Sequence, residues 1–324
     1  MVDRAPPDPS MTAGAQTLEP IVAYRDALLA EAERSSGLAV VEGGLPAVLA
    51  PRDFAARHAD RYSSVAPPEL VAAAVERSRR GGPVFLGAPT AALLGAAFPS
   101  IVRSLVVPRA NVKLVGFPVE PAPDPHGDEL AGRDDVGAMR ALPAMTVVVP
   151  ADGPTVRSAT AALAGRAGPA YLRLPPADAP AVTDGTFAVG RAHELRAGAD
   201  LAIVALGPAL ALALQAAEEL ARVGLSVRVL DVASVKPFDE AAILRAARDT
   251  GALLVVEAAP LSTGVGTLVA AMTAENLPVP VRRVGFPDVV PGGGAASPDG
   301  EQGVSLDRVR DEAWELLRLR GRIA

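Results

Sequence analysis

The chain has 324 residues, half of them apolar, with a net charge of −6 and no cysteine. That length suits two domains and a large buried core. It leaves no place for disulfides, thiol catalysis, cysteine zinc sites or iron–sulfur clusters, and the acidic balance argues against a general nucleic-acid binder. The three histidines, His58, His126 and His193, are scattered along the chain, which disfavours a histidine metal cluster. With no apolar run of membrane-spanning length and no apolar stretch behind the first methionine, we expect a soluble cytoplasmic protein.

Residues 1–18 are rich in Pro, Gly and Ala and read as a disordered tail. Apolar positions at helical spacing predict a helix over 21–34. The run Leu38-Ala39-Val40-Val41 before Gly43-Gly44 predicts a buried strand. Pro67-Pro68-Glu69 has the form of a helix start, with proline in the first turn and an acid at the positive end of the dipole. Strands follow at 84–86 and 112–115, then a long loop over 116–133 and a short helix over 134–142. A strand at 145–149 leads to Asp152, a candidate cap for a helix reaching 164. A strand over 170–174 completes a first domain, 19–174.

Pro175-Pro176-Ala177-Asp178-Ala179-Pro180 opens a stiff linker, 175–188. The second domain, 189–324, alternates regularly. Strands fall at 201–206, 226–230, 253–257 and 279–284, with helices at 208–223, 237–250 and 266–274 between them. A Gly-rich loop over 291–302 precedes a final amphipathic helix over 306–319. This order predicts an α/β protein of two tandem three-layer domains with mostly parallel sheets.

Taken singly, the local motifs read as structural. Gly264-Val265-Gly266 lacks the full dinucleotide spacing, so we expect a tight turn and not a phosphate loop. Lys236-Pro237-Phe238-Asp239 reads as a strand-to-helix turn capped by Asp239. Asp134-Asp135 are either paired acids or, as their place before an apolar helix favours, caps. His126 in the long loop is a solvated histidine unless something else claims it.

The order of these motifs carries more than any one of them. Val112-Lys113-Leu114-Val115-Gly116, Asp134-Asp135, Met139-Arg140-Ala141-Leu142-Pro143, Pro150-Ala151-Asp152 and Gly168-Pro169-Ala170-Tyr171-Leu172-Arg173-Leu174 run in sequence. They are followed by Lys236-Pro237-Phe238-Asp239, Leu254-Val255-Val256-Glu257, Gly264-Val265-Gly266 and Gly285-Phe286-Pro287-Asp288. The whole, over roughly 19–320, resembles the C-terminal half of transketolases: a pyrimidine-binding domain followed by the family's C-terminal domain. The resemblance implies the small subunit of a split, two-component transketolase. It further implies thiamine diphosphate, with the diphosphate and Mg²⁺ held by a partner subunit carrying the N-terminal domain. Self-association is implied as well, as an α₂β₂ assembly or a homodimer of the chain alone.

Aligned from Arg61-Tyr62, the family's pyrimidine-binding glutamate falls on Glu69, as a catalytic and cofactor-binding residue. The family's stacking rings fall on Ala88, Ala91 and Leu94, leaving Phe85 as the one possible substitute. Its substrate histidine falls on Leu130, an upstream loop histidine on Pro118, a phosphate-gripping arginine on Pro176, and its Glu-His pair on Glu257-Ala258. His126 is then a candidate for proton transfer or acceptor binding, and Arg173 for an anion contact. Missing phosphate contacts point to a two-carbon ketol transfer onto a non-standard acceptor, since proline cannot replace an arginine fork. Two other readings stay open: a non-catalytic assembly subunit, and the β subunit of a 2-oxo acid dehydrogenase.

Overall fold

The structure, a computed structural model, describes residues 19–43, 52–117, 134–287 and 304–321. The expected tail, most of the 116–133 loop with His126, and the 291–302 loop lie outside these residues.

Two sheets organise the chain. The first has seven strands: β1 (Ala39–Gly43), β2 (Tyr62–Val65), β3 (Val84–Pro89), β4 (Val112–Phe117), β5 (Thr146–Val148), β6 (Ala170–Arg173) and a late arrival, β10 (Ser234–Lys236). Their order is β10-β5-β6-β4-β3-β1-β2, all parallel except β10, which runs antiparallel to β5. The second sheet has the order β12-β11-β8-β9-β7. It comprises β7 (His193–Arg196), β8 (Leu201–Leu206), β9 (Val227–Asp231), β11 (Leu253–Pro260) and β12 (Val281–Phe286), with only β7 antiparallel.

Both faces of each sheet are covered, so the central strands are near-continuous apolar runs. Alternation divides the first sheet cleanly. Val40, Phe85, Val115, Val148 and Leu172 point to one face, beneath α1 (Pro20–Arg34) and α7 (Gly153–Ala164). Val41, Leu86, Leu114, Val147 and Tyr171 point to the other. That second face meets Val204 and Val255 of the second sheet through α3 (Leu70–Ser78), α6 (Asp135–Ala141), α9 (Glu240–Thr250) and α10 (Val265–Asn276), in one continuous core. On the far face of the second sheet, α8 (Ala209–Arg222) and α11 (Leu306–Leu319) bury Leu210, Leu220, Leu316 and Leu317.

Several helix ends are fixed as expected. Asp152 accepts from the Thr155 N–H at 3.0 Å, and Asp239 accepts from the Ala242 N–H at 3.0 Å. The Asp152 carboxylate also accepts from the Val182 and Thr183 amides at 2.8 and 2.7 Å and from the Thr183 hydroxyl at 2.9 Å. It therefore pins the linker to the first sheet.

Three strands were not anticipated. β2, β7 and β10 are short, partly polar edge strands, and their pairing is decided by distant neighbours. Among the described residues no helix is long and apolar enough to cross a membrane.

Candidate functional site

Parallel sheets bind ligands in crevices beyond the carboxyl ends of their strands. In the first sheet that edge is made where β1, β2, β3, β4 and β6 end. Glu69 lies there. It follows edge strand β2 through a single 3₁₀ turn, Pro67–Glu69, closed by Glu69 N–H donating to Ala66 O at 3.0 Å. Glu69 is exposed and stands at the N-cap position of α3 without a side-chain capping bond, so its carboxylate lies at the helix start, as its sequence position allowed, and is open to solvent. The next residue, Leu70, is fully buried and lies on Gly43 at the end of β1, where any Cβ would overlap the leucine side chain. Glycine is needed at 43 for this close approach.

A second group stands between β3, β4 and β6. Asp135, wholly buried, takes a very short hydrogen bond from the Tyr171 hydroxyl and lies 3.5 Å from the Arg173 guanidinium. Burial and the Asp135 charge together raise the Tyr171 phenol well above its ordinary range, so it stays a proton donor. Arg173 also donates to Ala258 O of the second sheet at 3.2 Å. Arg173 is thus a clamp between the two sheets, holding Asp135 on one side and Ala258 O on the other.

The joint beside it is built from α6 and the loop after β11. Thr263 donates its hydroxyl to Asp134, and Arg140 donates to Thr263 O at 3.0 Å. Lys236 donates to Arg140 O and Leu142 O at 2.8 and 2.7 Å. Glu257 is buried at the start of α10, where Val265 and Gly266 donate their N–H groups to its two oxygens at 2.6 and 2.8 Å. A Cβ at Gly264 would overlap that carboxylate. Burial raises the Glu257 carboxyl, while the two amides, Arg140 and Arg283 pull it down. The free amides of the Gly264-Val265-Gly266 turn are therefore taken by a side chain of the same chain, and the turn is structural as expected.

The expected residues sort as follows. Glu69 is at the strand-end edge and open. Arg173 is near it but committed to Asp135 and Ala258. Phe85 is not at the edge: its ring is fully buried under α1, tilted against Tyr24 at 6.3 Å between centroids, and has no open face for a ligand. The reason is strand alternation, which sends Phe85 and Ala88 to opposite faces. His126 falls outside the described residues. Asp134 and Asp135 neither cap α6 nor pair with each other, because each is claimed by a distant partner. Gly43 and Tyr171 were named in the sequence only as parts of longer runs, and their contacts with Leu70 and Asp135 were not foreseen. Only the glycine left a signal, at the end of an apolar run.

An exposed carboxylate at a strand-end edge fits the pyrimidine end of thiamine diphosphate, while of the positions aligned with the family's rings Ala88 is wholly buried and Ala91 and Leu94 are half-buried. Among the described residues no three His, Asp or Glu side chains gather into a metal site.

The profile of the transketolase C-terminal domain matches residues 190–308. The 6-deoxy-6-sulfo-D-fructose transketolase subunit of Clostridium sp. (strain MSTE9) is 35% identical, over 82% of this chain and 84% of its own. One of the subunits of the apulose-4-phosphate transketolase of Phocaeicola vulgatus is 30% identical, over 82% and 86%. A solved split-gene transketolase, described as an inactive β4 tetramer, superposes with a TM-score of 0.82 at 30% identity, covering 93% of this chain and 99% of that one. On these similarities the chain belongs to the transketolase family.

Proposed function

We propose that the chain is the small subunit of a two-component, thiamine diphosphate-dependent transketolase that moves a two-carbon ketol unit to a non-standard acceptor in a specialised pathway. The observation that carries this reading is the open Glu69 carboxylate at the strand-end edge, in a chain similar over 82% of its length to subunits of two transketolases and over 93% to a split-gene transketolase. In this reading residues 19–174 are the pyrimidine-binding domain, 175–188 the linker and 189–324 the C-terminal domain. A cytoplasmic partner chain with the diphosphate-binding domain holds the diphosphate and Mg²⁺, and the small subunits associate with one another.

Bound thiamine diphosphate supplies the nucleophilic carbon that takes up the ketol unit. Glu69 would hold a proton for a ring nitrogen of the aminopyrimidine, donating to it while protonated and accepting from it once the proton has passed. Half-buried Ala91 and Leu94 offer aliphatic surface there, without rings to stack. His126 is a proposed proton-transfer or acceptor contact. Arg173, the proposed anion contact, is tied to Asp135 and Ala258 O and would have to leave one of them to grip an anion. With Pro176 where the family has an arginine, an acceptor without a phosphate grip fits best.

The test is to co-express the chain with a diphosphate-domain partner and titrate thiamine diphosphate and Mg²⁺ into the complex by calorimetry. Binding is expected, and Glu69→Ala should abolish turnover while the complex still assembles. Unchanged turnover in that variant would refute the assignment. The aliphatic wall and the committed Arg173 favour a second reading, a non-catalytic assembly subunit, for which the complex would form and retain no cofactor. The transketolase relatives weigh against a 2-oxo acid dehydrogenase.

A further inference from the structure

We infer that Tyr62, through its hydrogen bond to buried Glu42, is a positioning residue for Glu69; this rests on the catalytic role proposed above. The path between them is short and stiff. Glu69 is reached from β2 through Ala66 and two prolines, which restrict the backbone, and the 3₁₀ turn is closed by its own amide bond. A shift of β2 is therefore carried to the Glu69 carboxylate with little loss.

β2 is also the strand least able to hold itself. It is the sheet's outermost strand, four residues long, pairing only with β1 from Val40↔Tyr62 to Gly43↔Val65. Its side chains are half-buried or exposed. Three side-chain ties fix it, one of them from Arg77 of α3, which donates to Asp60 O in the turn before β2. Before it, Arg61 donates to Ala32 O and Ser35 O at the end of α1, at 3.0 and 2.9 Å. Within it, the Tyr62 hydroxyl donates to Glu42 Oε2 at 3.0 Å.

Glu42 is on β1, only 3% exposed, and closer to the strand-end edge than Arg61's anchor. Burial and the Glu42 charge raise the Tyr62 phenol, so the donor stays protonated across physiological pH. The Tyr62–Glu42 bond thus ties β2 to β1 beside the strand ends from which the turn to Glu69 leaves. Leu70, seated on Gly43 of the same strand, fixes the far side of Glu69. Glu69 is held between two contacts with β1, and Tyr62 is the one of them a single hydroxyl deletion can remove.

The experiment uses the complex of this chain with its diphosphate-domain partner, loaded with thiamine diphosphate and Mg²⁺. The readout is hydrogen–deuterium exchange at the thiazolium carbon by quenched NMR, which needs no sugar substrate. Tyr62→Phe is expected to slow exchange roughly ten- to a hundredfold, the scale of a small misplacement of a reacting group. Amide exchange over residues 62–70 of the isolated chain should rise with it. On a Glu69→Gln background the Tyr62→Phe effect should vanish, because both changes remove one function. Glu42→Gln, which keeps an acceptor for the hydroxyl, should restore most of the rate relative to Glu42→Ala. Unchanged exchange in Tyr62→Phe, or a loss of equal size on the Glu69→Gln background, would overturn the inference. A wild-type complex that binds no cofactor would overturn the functional reading itself, and this inference with it.

Discussion

Replacing Asp231 by Asn should flatten the dependence of stability on pH between about 4 and 7. Asp231 ends β9 and is 2% exposed, with one carboxyl oxygen lacking a hydrogen-bond partner. It faces the charge of Asp152, whose own oxygens are fully engaged with residues 155, 182 and 183. The cross-strand neighbour on β7 is His193. Burial first, and Asp152 second, push the Asp231 carboxyl from 3.8 up to about 7, against a smaller pull from the Ala233 amide.

The folded chain therefore keeps a proton that the unfolded chain has released. Stability contributed by the neutral acid is full below the unfolded value, falls as pH rises through the window, and is flat above about 7. At about 1.4 kcal/mol per pKa unit the shift amounts to roughly 4 kcal/mol, and relaxation of the joint should leave about 2–4 kcal/mol. Urea unfolding of the chain at half-unit pH steps from 4 to 8, for wild type and Asp231→Asn, measures this directly. The difference between the two curves cancels every other titrating group. It should grow by about 2–4 kcal/mol in favour of Asn toward pH 8. Parallel curves would show that Asp231 is ionised throughout and that the buried repulsion at the joint does not exist.

Other outcomes follow from single contacts. Glu257→Ala orphans the Val265 and Gly266 amides and should cost about 2–4 kcal/mol in chemical denaturation. Lys113→Met strands three oxygen acceptors, on Asn111, Arg166 and Gly168, and should cost about 3–5 kcal/mol by the same assay. Gly116→Ala drives a methyl into the Tyr171 hydroxyl and should lower stability by about 1–3 kcal/mol. Glu69→Gln, at an exposed position, should leave the melting curve of the isolated chain within about 0.5 kcal/mol of wild type, whatever it does to the complex.

What could be read from the sequence followed burial. β1, β3, β4, β8 and β11 are covered on both faces and announce themselves as apolar runs. Tyr62-Ser63-Ser64-Val65 lies half in solvent at an edge, and no pattern within four residues marks it. Asp135 looked like a cap because caps are local, whereas its partners Tyr171 and Arg173 lie 36 and 38 positions further on. Phe85 could have been placed correctly, since residues three apart on a strand cannot share a face. Glu69 is proposed only through the order of motifs around it. Nothing in Ala66-Pro67-Pro68-Glu69 by itself distinguishes an open site carboxylate from a helix-start acid.

β10 has a consequence for how the chain is made. The first sheet is closed on its β5 side by residues 234–236, which are translated long after the other six strands. Until they emerge from the ribosome, β5 is a bare edge, able to pair with another nascent chain. Cutting at the proline-rich linker would perpetuate that state, so the two halves cannot be expressed apart without giving the first an unfinished sheet. The order of synthesis and the order of assembly are thus out of step, and the second half of the polypeptide completes the first.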